Sequence, residues 1–148
     1  MEAVDFDKDG NSDILLDYIG NNPTFHLYLY DISTSTFRHI DNYLSFPEGQ
    51  QLEGNRELYY SYHRAGCADL NWVSDLFTIR DFKITHLAHL YAEGCEGEQQ
   101  GISVFKVIAN KYDSTTLIET IKYSGEQNDS KGDIIKKYWN ENWTKFLQ

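Results

Sequence analysis

The sequence predicts an all-β domain, mostly antiparallel, built as a sandwich or as stacked propeller-blade-like sheets, with a short helix at its C-terminal end. Three observations predict it. Aromatic residues make up 15% of the chain, with eleven Tyr, eight Phe and three Trp against two prolines, and such side chains pack well on a pleated surface. About eight segments alternate apolar and polar residues with the period of a strand. Clusters of Gly, Asn, Asp and Ser separate them at hairpin spacing. A length of 148 residues suits one domain with a core of its own, so residues 1–148 are read as a single β domain. A closed propeller needs several repeats of about forty residues or more, and the length excludes it.

The elements follow in order. Residues 14–19 make the first strand, directly after an acidic loop. Gly20, Asn21, Asn22 and Pro23 are a turn signal. Residues 24–30 form a clear strand, with Phe25, Leu27 and Leu29 on one face and His26, Tyr28 and Tyr30 on the other. A turn over residues 31–35 returns the chain as a strand at 36–40, which completes a hairpin. Residues 41–56 are polar, contain Pro47, Gly49 and Gly54, and read as a connection. The Tyr-rich residues 58–63 are the next strand, and a loop leads to another at 72–80 with Trp72, Leu76 and Ile79 as core positions. From Phe82 to Leu90 the period is ambiguous, since Ile84, Leu87, Ala88 and Tyr91 also fit a helix. A strand is preferred, because a short turn at Asp81 makes this stretch the hairpin partner of residues 72–80. Residues 94–101 are an acidic, glycine-rich loop, 102–108 and 115–123 are strands, and 124–132 are polar. Beyond that the pattern changes. Ile135, Trp139, Trp143 (or Asn142) and Phe146 fall on one helical stripe, with Asp133 as its N-cap; an aromatic edge strand is the alternative.

The formal net charge is −10. That excludes nucleic acid, whose phosphates it would repel, and anionic membrane surfaces. No apolar run is long enough to span a bilayer. A basic protein partner remains compatible with the charge.

The densest charge lies at the start, in Asp5-Phe6-Asp7-Lys8-Asp9-Gly10-Asn11-Ser12-Asp13. Like charges this close repel, and a hard cation relieves them: calcium takes about six to eight oxygens at roughly 2.3–2.6 Å. Side chains at the first, third, fifth and ninth positions can point inward, and the carbonyl at the seventh adds an oxygen. The expected ligands are therefore Asp5, Asp7, Asp9, Asn11 through its carbonyl, and Asp13, with Gly10 supplying the backbone freedom of the turn. An EF-hand loop ends on a bidentate Glu and continues as a helix. Here the twelfth position is Leu16 and the chain runs into a strand. Loop-then-strand in the form D-x-D-x-D-G-x-x-D resembles the calcium loop of FG-GAP and integrin-type propeller blades. More loosely, that loop, then residues 27–37 and 72–79, is similar to small exported bacterial proteins related to periplasmic lysozyme inhibitors. The resemblance implies a calcium-stabilised β module outside the cytoplasm: periplasmic, at the cell surface or secreted. It also implies an export signal ahead of residue 1, since Met1, Glu2 and Ala3 begin no signal peptide themselves.

Cys67 and Cys95 fit either a disulfide or two free thiols, and neither has the neighbour a zinc or thioredoxin motif requires. His86 and His89, three apart, face opposite sides of a strand, so they are not expected to share a metal; His26 and His39 read as a surface pair of the first hairpin. No hydrolase, metalloprotease, Walker or dinucleotide fingerprint is present. The expectation is a non-enzymatic module with a protein partner, a lysozyme-type basic hydrolase being the specific case. Two alternatives stand beside it: a carbohydrate-binding or cell-surface module using Tyr59, Tyr60 and Tyr62, and an enzyme whose site the sequence does not display.

Overall fold

In the computed structural model the described residues are 1–20, 24–95, 99–125 and 129–147. The expected turn at Asn21, Asn22 and Pro23 and part of the loop over 94–101 lie outside them. The all-β expectation holds: among the described residues, two antiparallel sheets carry the fold, with one α-helix near the C-terminal end.

The smaller sheet has four strands in chain order: β1 (Glu2–Val4), β2 (Asp13–Tyr18), β3 (Thr24–Asp31) and β4 (Thr36–His39). A single turn of 3-10 helix at Tyr43–Ser45 then leads to the larger sheet. That sheet takes β5 (Gln50–Gln51), β6 (Leu58–Tyr60), β7 (His63–Arg64), β8 (Trp72–Arg80), β9 (Lys83–Glu93), β10 (Gly101–Ile108) and β11 (Lys111–Ile121). Its spatial order is β11-β10-β9-β8-β6-β5, with β7 also on β8. The sequence pattern missed β1 and β5, which are two or three residues long and show no period of their own, and the strand expected over 58–63 is broken into β6 and β7. The ambiguous stretch after Asp81 is indeed a strand. Asp81 and Phe82 both have left-handed φ, 50° and 61°, the backbone of a tight two-residue hairpin turn.

The larger sheet is the middle layer. On one face Leu27, Leu29 and Ile40 from the small sheet meet Tyr59 and Phe77, with Tyr43 and Phe46 from the connection between them. On the other face Leu58, Trp72, Leu76, Leu90 and Val104 are covered by Ile135, Trp139 and Phe146. These last belong to α1 (Lys131–Asn142) and to the 3-10 turn that continues it through Phe146. The expected stripe is therefore real, but its cap is not Asp133. Ser130 is the N-cap, its hydroxyl accepting from the Asp133 N–H, and Asp133 sits in the first turn where a negative charge favours the helix. The indole N–H of buried Trp139 donates to Ser74 Oγ at 2.9 Å, and Ser74 Oγ donates to the Ser61 carbonyl at 2.6 Å. Helix, β8 and the link between β6 and β7 are thus tied by a satisfied buried chain.

Candidate functional site

The acidic loop proves to be the hairpin loop between β1 and β2, whose register closes on Val4 opposite Asp13. Phe6 points back from the loop and stacks on Tyr59 with centroids 5.1 Å apart, and meets Tyr43 edge-on at 5.7 Å. The Gln51 amide donates to the Asp7 carbonyl at 2.7 Å. The loop is therefore pinned at Phe6 and Asp7 against the larger sheet, while Asp5, Lys8, Asp9 and Gly10 are exposed. Its own backbone is shaped by its carboxylates: Asp5 accepts from Gly10 N–H at 3.1 Å, and Asp7 from Asp9 N–H at 3.2 Å. Gly10 has φ 93°, the conformation for which glycine was expected.

Of the four expected carboxylate ligands, three are brought together: Asp5, Asp7 and Asp13 place carboxylate oxygens within 4.8 Å of one another. Asp9 stands apart. Its carboxylate folds onto Asn11, accepting from the backbone N–H at 2.8 Å and the side-chain amide at 3.1 Å. Asp13 is buried and accepts from Phe6 N–H and Tyr30 N–H, each at 2.9 Å. It therefore joins the loop to β3 as well as facing the cluster. The electrostatics match the crowding. Burial, then the charges of Asp13 and Asp9, push the Asp7 carboxyl up to about 6. Burial also raises Asp13, against the hydrogen bonds from Tyr30 and Phe6, while the Asn11 backbone holds Asp9 below the usual range. A carboxylate raised in this way is waiting for a proton or a cation.

A second cluster was not expected. His86 and His89 lie on the same face of β9, which corrects the alternation argument. Asp75 pairs with His89 and Leu76 with Ala88, but Phe77 pairs with His86, so Leu87 is an extra residue in a β-bulge. One inserted residue turns a spacing of three into a same-face pair. Asp75, on the neighbouring β8, completes a group whose ligand atoms lie within 4.8 Å, all three residues being buried. His86 Nε2 lies 2.8 Å from Asp75 Oδ1 and 3.1 Å from the Ala88 carbonyl. Among the described residues, Asp75 Oδ1 and His89 Nδ1 both lack an aligned hydrogen-bond partner, and a buried atom left wholly unpaired, as His89 Nδ1 is, costs about 1–3 kcal/mol. Burial lowers the His89 pKa, so its imidazole is held neutral. Phe46, Phe105 and Tyr112 surround the two rings, Tyr112 stacking on both at 5.6 and 5.2 Å. Asp75 and His86 line a cleft of about 410 Å³ with Asn42, Ser45, His63 and Tyr112.

The remaining expected positions fall out as follows. Cys67 and Cys95 are joined as a disulfide, with Cα atoms 6.1 Å apart. His26 and His39 touch at the surface, Nδ1 to Nε2 at 3.1 Å. Tyr59 and Tyr60 are buried, and Tyr62 is partly buried against the helix-side core, so the three form no platform for a sugar ring.

No family model matches the chain, and no curated protein matches it. Among solved structures, one described as a Xanthomonas Type IV Secretion System related protein is similar, with a TM-score of 0.57 at 12% identity. The match covers 79% of this chain and 56% of that one, so this chain spans little more than half the neighbour's length. At that identity the likeness is one of fold alone.

Proposed function

We propose that the chain is an exported, calcium-stabilised, non-enzymatic β module that binds another protein, a basic lysozyme-type hydrolase being the specific case. The observation that carries the calcium part is the gathering of Asp5, Asp7 and Asp13 on a hairpin pinned by Phe6 and Gln51. Three carboxylates in one place repel unless a cation sits among them. The disulfide supports an oxidising compartment, and a net charge of −10 supports a basic partner, because complementary charge speeds encounter. The sugar-binding alternative loses ground with its tyrosines buried.

Two experiments test the reading. Calcium-stripped protein is melted with calcium or with chelator. At about ten times the dissociation constant, linkage gives about 1.4 kcal/mol, or a rise in Tm of about 3–6 °C for a domain of this size. No rise at millimolar calcium removes the calcium part. Lysozyme activity is then followed with micromolar protein at low and moderate salt. Inhibition that weakens as salt rises is expected, and full activity throughout removes the hydrolase partner.

A further inference from the structure

We propose that Asp75, His86 and His89 form a second metal site, for a divalent first-row transition ion of the zinc type, independent of the acidic loop. Two imidazoles and one carboxylate are the donor set that such ions take with coordination positions left open. Calcium prefers oxygen alone, so the two clusters select different ions. The ligand atoms lie within 4.8 Å of one another. Three donors about 2.1 Å from a common ion stand roughly 3.0–3.4 Å apart, so each side chain closes the gap by about 1 Å or less.

The second observation is the pair of orphaned atoms. Asp75 is 2% exposed and His89 7%, yet among the described residues Asp75 Oδ1 and His89 Nδ1 have no aligned hydrogen-bond partner. His86 Nε2 is close to Asp75 Oδ1 at 2.8 Å but is not aligned to donate to it, and the Ala88 carbonyl is its alternative partner. An ion taken by Asp75 Oδ1 and His89 Nδ1 would satisfy both orphans, and His86 Nε2 joins them by giving up the Ala88 carbonyl. The surroundings are those of a built site. The Leu87 bulge aims both imidazoles to one side. Asn110 Oδ1 accepts from the His86 backbone N–H at 2.6 Å and fixes the strand at that point. Phe46, Phe105 and Tyr112 hold the ring planes. The cleft beside Asp75 and His86, lined also by Asn42, Ser45 and His63, gives water or a small anionic ligand access to the open positions.

The test uses the whole chain, stripped of metal and kept in calcium so that the acidic loop is saturated. Cobalt(II) serves as the spectroscopic probe, and zinc is measured by competition with a chromophoric chelator. One equivalent of each is expected, with visible cobalt bands of mixed nitrogen and oxygen coordination. His89→Gln and Asp75→Asn are each expected to weaken binding by about 100-fold or more, while Asp5→Asn leaves it unchanged. Because buried variants can fail to fold, the wild-type protein carries a parallel reading. Zinc is expected to shift the side-chain nitrogen resonances of His86 and His89 in NMR and to leave those of His26 and His39 in place. No binding at submillimolar ion, shifts confined to His26 and His39, or affinity retained in folded His89→Gln and Asp75→Asn would each overturn the site.

Discussion

Asp7 concentrates the tension of the loop in one carboxyl. Its pKa of about 6 stands above the ordinary value near 3.9 of an unfolded Asp. The folded chain therefore binds the extra proton between those values. Without a cation, the contribution of Asp7 to stability is greatest below about pH 4 and is lost as pH rises through about 6. In chelator, Asp7→Asn is expected to raise Tm at pH 7 by a few degrees and to flatten the slope between pH 4 and 6. In calcium the same variant is expected to lose most of the stabilisation seen in the wild type. A melt series in both conditions checks the sign. Ser74 gives a second prediction. Ser74→Ala leaves the buried indole N–H of Trp139 and the Ser61 carbonyl without a partner, and is expected to cost about 1–3 kcal/mol in urea unfolding. The spacing of the loop carboxylates could be read directly, because local repulsion depends on neighbours in sequence. The role of Asp75 could not, because its partners come from the next strand and one of them is delivered by an irregularity.

That irregularity belongs to the element scale. Alternation assumes an uninterrupted ladder, and the Leu87 bulge breaks it in the middle of an eleven-residue strand. The aromatic alternation and the hairpin turns were legible, whereas a bulge has no residue signature strong enough to read alone. Cap assignment failed for a related reason: Ser130 and Asp133 are both good capping residues, and only the hydrogen bond shows which one receives and which one donates. Turn chemistry yields a stabilising change. Ala109 and Asn110 join β10 to β11 with φ of 54° and 56°, a conformation that costs a residue with a Cβ. Ala109→Gly is expected to raise stability by about 0.5–1 kcal/mol, measured by thermal melt. A fall instead would show that Ala109 packs in a way its turn geometry does not require.

At the scale of the whole molecule, the fold class and the C-terminal stripe could be read from periodicity, since burial imposes them on long segments. The layering could not. Nothing local says that the helix covers one face of the large sheet while the small sheet covers the other. The disulfide also acts at this scale. It closes a loop across 28 residues and ties a turn in which Cys67, Ala68 and Asp69 all have left-handed φ, at 52°, 51° and 67°. Replacing both cysteines by serine is expected to lower stability by about 3 kcal/mol, read as a shift in the urea midpoint.

The position of the covering segment has a consequence for biogenesis. Trp139 and Phe146 seal the helix-side face of the large sheet, which includes Leu58, Trp72, Leu76 and Leu90. During synthesis that face stays bare until residues 131–147 have left the ribosome, so the nascent chain cannot lock into its final packing early. Until then the apolar residues of that face are open to chaperones and to association with other chains.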